Sequence, residues 1–438
     1  MIDVGWNLQS PDHRSMMAAS GRQYLSSLEQ LGIKLGLEQI RALVDHLGRP
    51  DRAYRSIVVA GTNGKGSVTA MVERGLLAVG CRTGRYTSPH LVDVEERVAI
   101  DGRQIAAEEF ERVACDVRAA AERLPAPPSF FEATTAVALE AFRRARIDVA
   151  VLEVGLGGRL DATNVVCPMG VAITSVDFDH EQYLGQSLEA IAREKAGVIK
   201  PGSFAVVAEN SPVVRQVIRA RCLETEADFV PATEGVEVET AISAGRSDIR
   251  LRTRHADYGQ LTLGLRGRHQ IANAVTAVRL LEELDVRSLV RVPAAAVRTA
   301  LTDVDWPARL EPRRWRDHDV LIDGAHNPAG ARALASYLHE VFCRRLPFVI
   351  GVMRDKEVTQ IVEALAGSAS CFVCTAPNTP RAVSPAELST IARQVAPDVD
   401  TIAIMPPVAA LARAVALGTP AVVAGSLYLA GEIRVELT

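Results

Sequence analysis

Lys65 is the first residue of the chain whose setting points to chemistry. It lies in GTNGKGS (61–67), which follows the apolar run SIVVAG (56–61) and opens a helical pattern from Ser67 to Val79. Glycines in such a loop, here Gly61, Gly64 and Gly66, let backbone amides turn toward an anion without Cβ obstruction. The helix start adds free N–H groups and partial positive charge. Thr62 and Asn63 complete the turn, Lys65 can reach terminal phosphates, and Ser67 can cap the helix or approach a metal. The common phosphate loop would place a glycine where Val59 stands and a Ser or Thr directly after the lysine, where Gly66 stands. The choice is therefore between a Gly-rich turn with an exposed lysine and a phosphate loop of different spacing. A strand before, a helix after and a lysine within favour the second. Glu153 ends an apolar run ahead of a Gly-rich loop, where it suits either a metal or a salt bridge. Taken alone, His180 and Asp323 read as loop polar residues. Lys195, in AREKAG, reads as a helix-surface lysine paired with Glu194 or Glu189.

Strands alternating with helices must position these groups. DVAVLEVG (148–155), GVAITSV (170–176) and SFAVVAE (203–209) repeat the apolar strand type. DVLIDGA (319–325), PFVIGVM (347–353), CFVCTA (371–376), TIAIM (401–405) and PAVVAGS (420–426) resume it. Near-continuous apolar strands between helices predict parallel sheets covered on both faces. The polar–apolar alternation of SDIRLRTRHADYGQLTLGLRG (247–267) predicts an antiparallel hairpin between the two halves. The proline-bearing LTDVDWPARLEP (301–312) marks a boundary near Asp305. The expected class is α/β: a phosphate-loop N-terminal domain with a mostly parallel sheet (1–304) and a smaller Rossmann-like C-terminal domain (305–438).

The 438 residues carry a formal net charge of −4, so nothing announces a nucleic-acid partner. No apolar run reaches the ~18–20 residues of a membrane span. MIDVGWNLQSPDHRSMM lacks the basic start and apolar core of a signal peptide. Seven scattered cysteines fit a cytoplasmic protein. The single C-x-x-C, Cys371 and Cys374, lacks the second pair of a zinc site and reads as buried strand. Nothing marks an interface, and a monomer is expected.

GTNGKGS resembles the ATP loop of the Mur ligase superfamily, in particular its folate branch, folylpolyglutamate synthase and dihydrofolate synthase. YTSPHL (86–91), EERV (95–98), SFFE (129–132), LEVGLGGRLDATN (152–164), SVDFDHEQYLG (175–185) and AREKAGVIKPG (192–202) resemble further segments of that branch. So do GRHQIANA (267–274), WPARLE (306–311), DGAHNPAGA (323–331), GVMRDK (351–356) and GSLYLAGEIR (425–434), all in family order. The resemblance implies an ATP-dependent ligase. It would phosphorylate a pteroate or folate carboxylate and condense the acyl phosphate with the amine of L-glutamate.

Such a reaction brings a polyanionic nucleotide close to a second anion, so metal ions and cations must relieve the repulsion. By resemblance, ATP and two Mg²⁺ ions are expected, with Glu153 on both ions, Ser88 on one and His180 on the other. Lys195 matches a lysine that is commonly carbamylated. Asn273 would face adenine, Arg309 the phosphates across an interdomain cleft, and Asp323 and His326 ribose and phosphate or base. Ser129, Phe131, Asp161 and Ala162 match the pterin pocket. Phe131 can stack on a flat ring. The alternative readings for Phe131 and Asp161 are core packing and an Asx turn. Arg381 and Ser384 are candidate glutamate contacts. The competing readings are a Mur-type ligase with another acceptor, a non-catalytic nucleotide-binding protein, and a small-molecule kinase that would leave the second domain unexplained.

Overall fold

The computed structural model describes residues 20–437 apart from Ile33 and Glu209; the N-terminal segment read above for a signal peptide lies outside the described residues. The first sheet contains β1 (Arg55–Ala60), β2 (Thr83–Tyr86), β3 (Val98–Ile100), β4 (Arg103–Gln104), β5 (Val149–Glu153), β6 (Pro168–Ile173), β7 (Phe204–Val207) and β8 (Asp228–Pro231). Its order is β4-β3-β2-β5-β1-β6-β7-β8. From β2 through β5, β1, β6 and β7 to β8 the strands run parallel, and only the pairings of β3, with β2 and with β4, are antiparallel. Each apolar run named from the sequence in this half falls on one of these strands. Burial on both faces explains why they do not alternate. One face packs against residues such as Ile40, Phe110 and Phe142, and the other against Met71, Leu281 and Val297.

The expected hairpin is β10 (Arg246–Thr253) and β11 (Asp257–Thr262). A third antiparallel strand, β9 (Val236–Ser243), pairs with β10 and has no counterpart in the sequence reading. It has no fully buried residue, unlike β10 and β11.

The last sheet is built from β12 (Glu311–Trp315), β13 (His318–Ile322), β14 (Leu346–Ile350), β15 (Ala369–Cys374), β16 (Asp400–Ala403) and β17 (Ala421–Ala424). Its order is β12-β13-β17-β14-β15-β16, parallel except for the β12–β13 pair. Helices cover both faces, over Phe348 and Phe372 on one side and Val349 and Val423 on the other. Cys371 and Cys374 lie buried on β15.

Two features position the site. β1 lies between β5 and β6, with Val59 paired to Glu153 on one side and Ala172 on the other. The chain therefore leaves β1 at Gly61 between Glu153 and Thr174, at the carboxyl end of a sheet whose strand order switches there. That is where open α/β sheets bind ligands. The loops after β13 and β14 meet the loops after β1 and β6: Asn327 Nδ2 donates to Asn63 Oδ1 at 3.0 Å, and Lys356 Nζ to Asp179 Oδ1 at 2.7 Å.

Candidate active site

The loop 61–67 turns sharply into the helix Lys65–Ala78, with Gly64 at the N-cap in left-handed conformation, φ +87°. A Cβ there would stand 2.2 Å from Asn273 Oδ1, so only glycine lets the loop approach the helix His269–Val286 that closely. The loop is tied down on its other side. Thr62 N donates to Ser175 O at 2.7 Å, Thr62 Oγ1 to Asp177 O at 2.9 Å, and Thr174 Oγ1 to Asn63 O at 2.7 Å. Trp306 from the 303–310 connection packs over Gly66, with the Arg85 guanidinium 4.9 Å from its ring centre.

The loop borders a cavity of about 610 Å³ that Ser88, Glu153, His180, Lys195, Asn273, Arg309, Asp323 and His326 also line. Lys65 Nζ donates to Thr62 O at 3.0 Å. Burial pulls its pKa down, while Glu153 and Asp179 act to hold its charge. The Ser67 hydroxyl is 1% exposed and does not cap the helix. Its Oγ has no hydrogen-bond partner. Such a buried orphan is costly unless something outside the chain satisfies it. Glu153 is buried at the end of β5, where Ser88 N donates to its Oε2 at 3.2 Å. Burial raises its pKa against the pull of Lys65, Ser88 and Arg309. A carboxylate and hydroxyls beside a phosphate loop suit Mg²⁺, which takes few protein ligands and completes its shell with water and phosphate oxygens. Among the described residues no three His, Cys, Asp or Glu side chains gather as a self-sufficient metal set.

Lys195 is not a surface lysine. It lies near the end of the helix Leu188–Ala196, 4% exposed, and its Nζ donates to Gly61 O at 2.8 Å. Glu194 pairs instead with Arg159, and Glu189 with Arg193. Gly158 permits this approach, since a Cβ there would meet Glu194 O at 2.8 Å. Burial, reinforced by Lys65, brings the Lys195 pKa down to about 7.

His180 is also in the cavity wall, but its Nε2 lies 3.0 Å from Lys356 Nζ, for which it is an acceptor when its proton sits on Nδ1. Burial lowers its pKa to about 4. Asp179, partly buried, is nonetheless held well below the usual carboxylate range by Lys356, His180 and His326. Asn327 joins the same cluster, donating to Asp179 Oδ2 at 3.2 Å. Sequence reasoning singles out none of Lys356, Asp179 and Asn327, although GVMRDK, DFDH and HNP contain them. Asn327 caps the helix Pro328–Val341, accepting from Gly330 N at 2.8 Å.

Arg309 Nη1 donates to Ala308 O at 2.9 Å. Asp323 accepts from Leu310 N and Ala325 N, at 2.9 and 2.8 Å, so both its oxygens brace the chain where it enters the last sheet. His326 Nδ1 lies 2.7 Å from Gly324 O.

The residues matched to the pterin pocket hold local structure. Ser129 and Glu132 form a capping box at the start of the helix Phe130–Ala145. Asp161 accepts from Leu156 N at 2.8 Å and from Thr163 N at 3.0 Å, and caps the turn Ala162–Val165, where Ala162 is buried. Phe131 is half-buried, its ring 5.9 Å from that of Tyr86 and pressed against Gly155. Arg381 and Ser384 are exposed. Arg381 approaches Asp355 at 3.4 Å and Ser384 caps the helix Pro385–Val395. Asp355 lines a second cavity of about 490 Å³ that shares Asp179, His180 and Lys356 with the first cluster.

Two family models match the chain: the Mur ligase middle domain over residues 125–281 and the Mur ligase glutamate ligase domain over 308–427. A dihydrofolate synthase/folylpolyglutamate synthase of Mycobacterium tuberculosis is 39% identical over 367 residues, covering 79% of this chain and 75% of that protein. The structure of Mycobacterium tuberculosis folylpolyglutamate synthase complexed with ADP superimposes with a TM-score of 0.87 at 34% identity, covering 95% of this chain and 98% of that one. A bifunctional folylpolyglutamate synthase/dihydrofolate synthase with Mn, AMPPNP and L-glutamate bound gives a TM-score of 0.81 at 31% identity, covering 95% and 98%.

Proposed function

This chain belongs to the dihydrofolate synthase/folylpolyglutamate synthase family of Mur ligases, and on that premise we propose how its site works. It is an ATP-dependent ligase that joins L-glutamate to the carboxylate of dihydropteroate or of a (tetrahydro)folate through an acyl phosphate, releasing ADP and phosphate. One observation carries the reading: Lys65, Lys195, Glu153, Arg309 and the unpartnered Ser67 hydroxyl converge on a single cavity at the carboxyl end of β1.

In this mechanism the loop amides and Lys65 hold the β- and γ-phosphates and stabilise charge on the transferred group. Ser67, Ser88 and Glu153 would hold two Mg²⁺ ions, with His180 completing the set when Lys356 releases its Nε2. The metal supplies charge neutralisation between nucleotide and carboxylate. Arg309 reaches the phosphates from the connection between the sheets, while Asn273, Asp323 and His326 bound the adenosine. Phe131 stacks on the pterin, with Ser129, Asp161 and Ala162 shaping that pocket. Arg381 and Ser384 are the candidate contacts for glutamate. Lys195, with a pKa of about 7, is substantially neutral near neutral pH and so can take up CO₂ as a carbamate.

We divide the chain into domains at 304/305, because the two sheets have separate cores on either side of that point. We take it to act as a cytoplasmic monomer. Its seven cysteines are free, and no helix among the described residues is long and apolar enough to cross a membrane.

The test is ADP release by the purified protein with Mg²⁺ and L-glutamate, with dihydropteroate and tetrahydrofolate in parallel and product masses read out. Glutamate-dependent turnover that adds one glutamyl unit is expected. Nucleotide binding without turnover on either acceptor would overturn the folate assignment.

A further inference from the structure

The helix Leu427–Val435 touches the site at two points. Leu427 lines the main cavity, and its Cδ2 lies 2.4 Å from where a Cβ on Gly324 would stand. One turn on, Gly431 lies against the backbone of Leu91. A Cβ on Gly431 would stand 2.0 Å from the Leu91 carbonyl oxygen and 2.7 Å from its carbonyl carbon. Both are backbone atoms, so no side-chain rotation relieves the overlap. The contact would have to open by at least about 1 Å to reach the 3.3–3.6 Å of even a weak C–H···O contact.

Leu91 is not a free loop residue that could yield. The amides of Leu91, Val92 and Asp93 all donate to the Glu96 carboxylate, at 2.8, 3.0 and 3.0 Å. Arg97 Nε donates to His90 Nδ1 at 2.9 Å, and Thr87 N to Arg97 O at 3.0 Å. Segment 87–97 is therefore a cross-braced strap, and Ser88 within it meets Glu153. Leu91 also packs against the core of the last sheet.

We propose that Gly431 is a positioning residue. By having no side chain, it lets the C-terminal helix seat directly on the strap and so fixes Ser88 and Glu153 relative to the groups carried by the last sheet. This rests on the functional reading of Ser88 and Glu153 given above. A side chain at 431 moves either the strap or the helix by about 1 Å. Misplacement on that scale costs on the order of 10²-fold in rate. The phosphate-holding part of the nucleotide site is affected much less, because the 61–67 loop is braced by Ser175, Asp177 and Thr174 and not by the strap.

The experiment compares wild type with Gly431→Ala and Glu96→Gln, measuring kcat, KM for each substrate, ADP affinity, melting temperature and hydrogen exchange of residues 87–97 in metal-free protein. Expected for Gly431→Ala is a loss of about 10²-fold in kcat, ADP affinity within about threefold, and faster exchange in the strap. A kcat within threefold of wild type overturns the proposal, and so does a parallel fall of kcat, ADP affinity and melting temperature. If Gly431→Ala does not fold, Glu96→Gln decides, since it loosens the strap from its exposed side. Lower kcat with unchanged ADP affinity and faster exchange supports the proposal, and unchanged kcat overturns it. Should wild type show no glutamate-dependent turnover, the functional reading fails separately, and the exchange data still report on the contact.

Discussion

Replacing Lys195 by Met removes a charge from a place where the fold holds it at a cost. The Lys195 ammonium has one protein acceptor, Gly61 O at 2.8 Å, and burial with the nearby Lys65 brings its pKa to about 7, against about 10.4 in an unfolded chain. Because the folded pKa is the lower one, the unfolded chain binds the extra proton between about pH 7 and 10.4, and stability rises with pH across that window. Each tenfold loss of proton affinity corresponds to about 1.4 kcal/mol, so at pH 7 the buried ammonium costs on the order of 4 kcal/mol relative to a neutral amine. Met loses the bond to Gly61, worth about 1 kcal/mol. Lys195→Met is therefore expected to be about 3 kcal/mol more stable than wild type at pH 7. That margin should shrink by about 2–3 kcal/mol by pH 9, as wild-type Lys195 gives up its proton.

Urea denaturation at the two pH values in CO₂-free buffer measures this directly. Other titrating groups are common to both proteins and cancel in the difference. Parallel stability–pH curves for wild type and Lys195→Met would refute the argument, because they would mean that Lys195 titrates as an exposed lysine does. Adding bicarbonate should then stabilise wild type but not the variant, since a ligand that modifies only the folded state acts by mass action. Catalytic turnover, by contrast, should fall in Lys195→Met at every pH.

Lys356→Met leaves the partly buried Asp179 without its cation, so a loss of about 1–3 kcal/mol at pH 7 is expected. The loss should shrink below about pH 4, where Asp179 begins to protonate in the unfolded chain, and urea titrations at pH 7 and 3.5 check it. Asp161→Asn separates the two readings of that residue. Asn keeps the cap on Thr163 N but turns its NH2 toward the Leu156 amide, so a loss of about 1–3 kcal/mol in stability is expected. If Asp161 recognises the pterin edge, KM for dihydropteroate should rise about 10–100-fold with KM for glutamate unchanged. An unchanged dihydropteroate KM would leave it a capping residue.

What can be read from the sequence is what a strand end determines by itself. SIVVAG and DVAVLEVG are almost continuously apolar because β1 and β5 are buried on both faces, and the groups that leave their carboxyl ends, Gly61 onward and Glu153, are those a parallel sheet presents to a ligand. Ser129 is legible differently. S-x-x-E before an apolar run is the signature of a capping box, and in the structure Ser129 and Glu132 satisfy each other. Lys195 misleads on local grounds, because acidic neighbours on a short helix suggest an exposed pair. What buries it is Gly158, which lies 37 positions earlier and admits the helix end by having no side chain. Lys356, Asp179 and Asn327 leave no local signal. Their cluster exists only because two independently wound sheets present their carboxyl ends to each other, joining positions up to 177 residues apart. The same holds for Gly431 and Leu91, which look in sequence like a helix glycine and a loop leucine. The phosphate loop and its carboxylate thus belong to the first sheet alone, whereas their alignment with the groups of the last sheet arises only from docking. Substitutions at the docking contacts should therefore lower turnover more than nucleotide affinity, and substitutions in the loop should lower both.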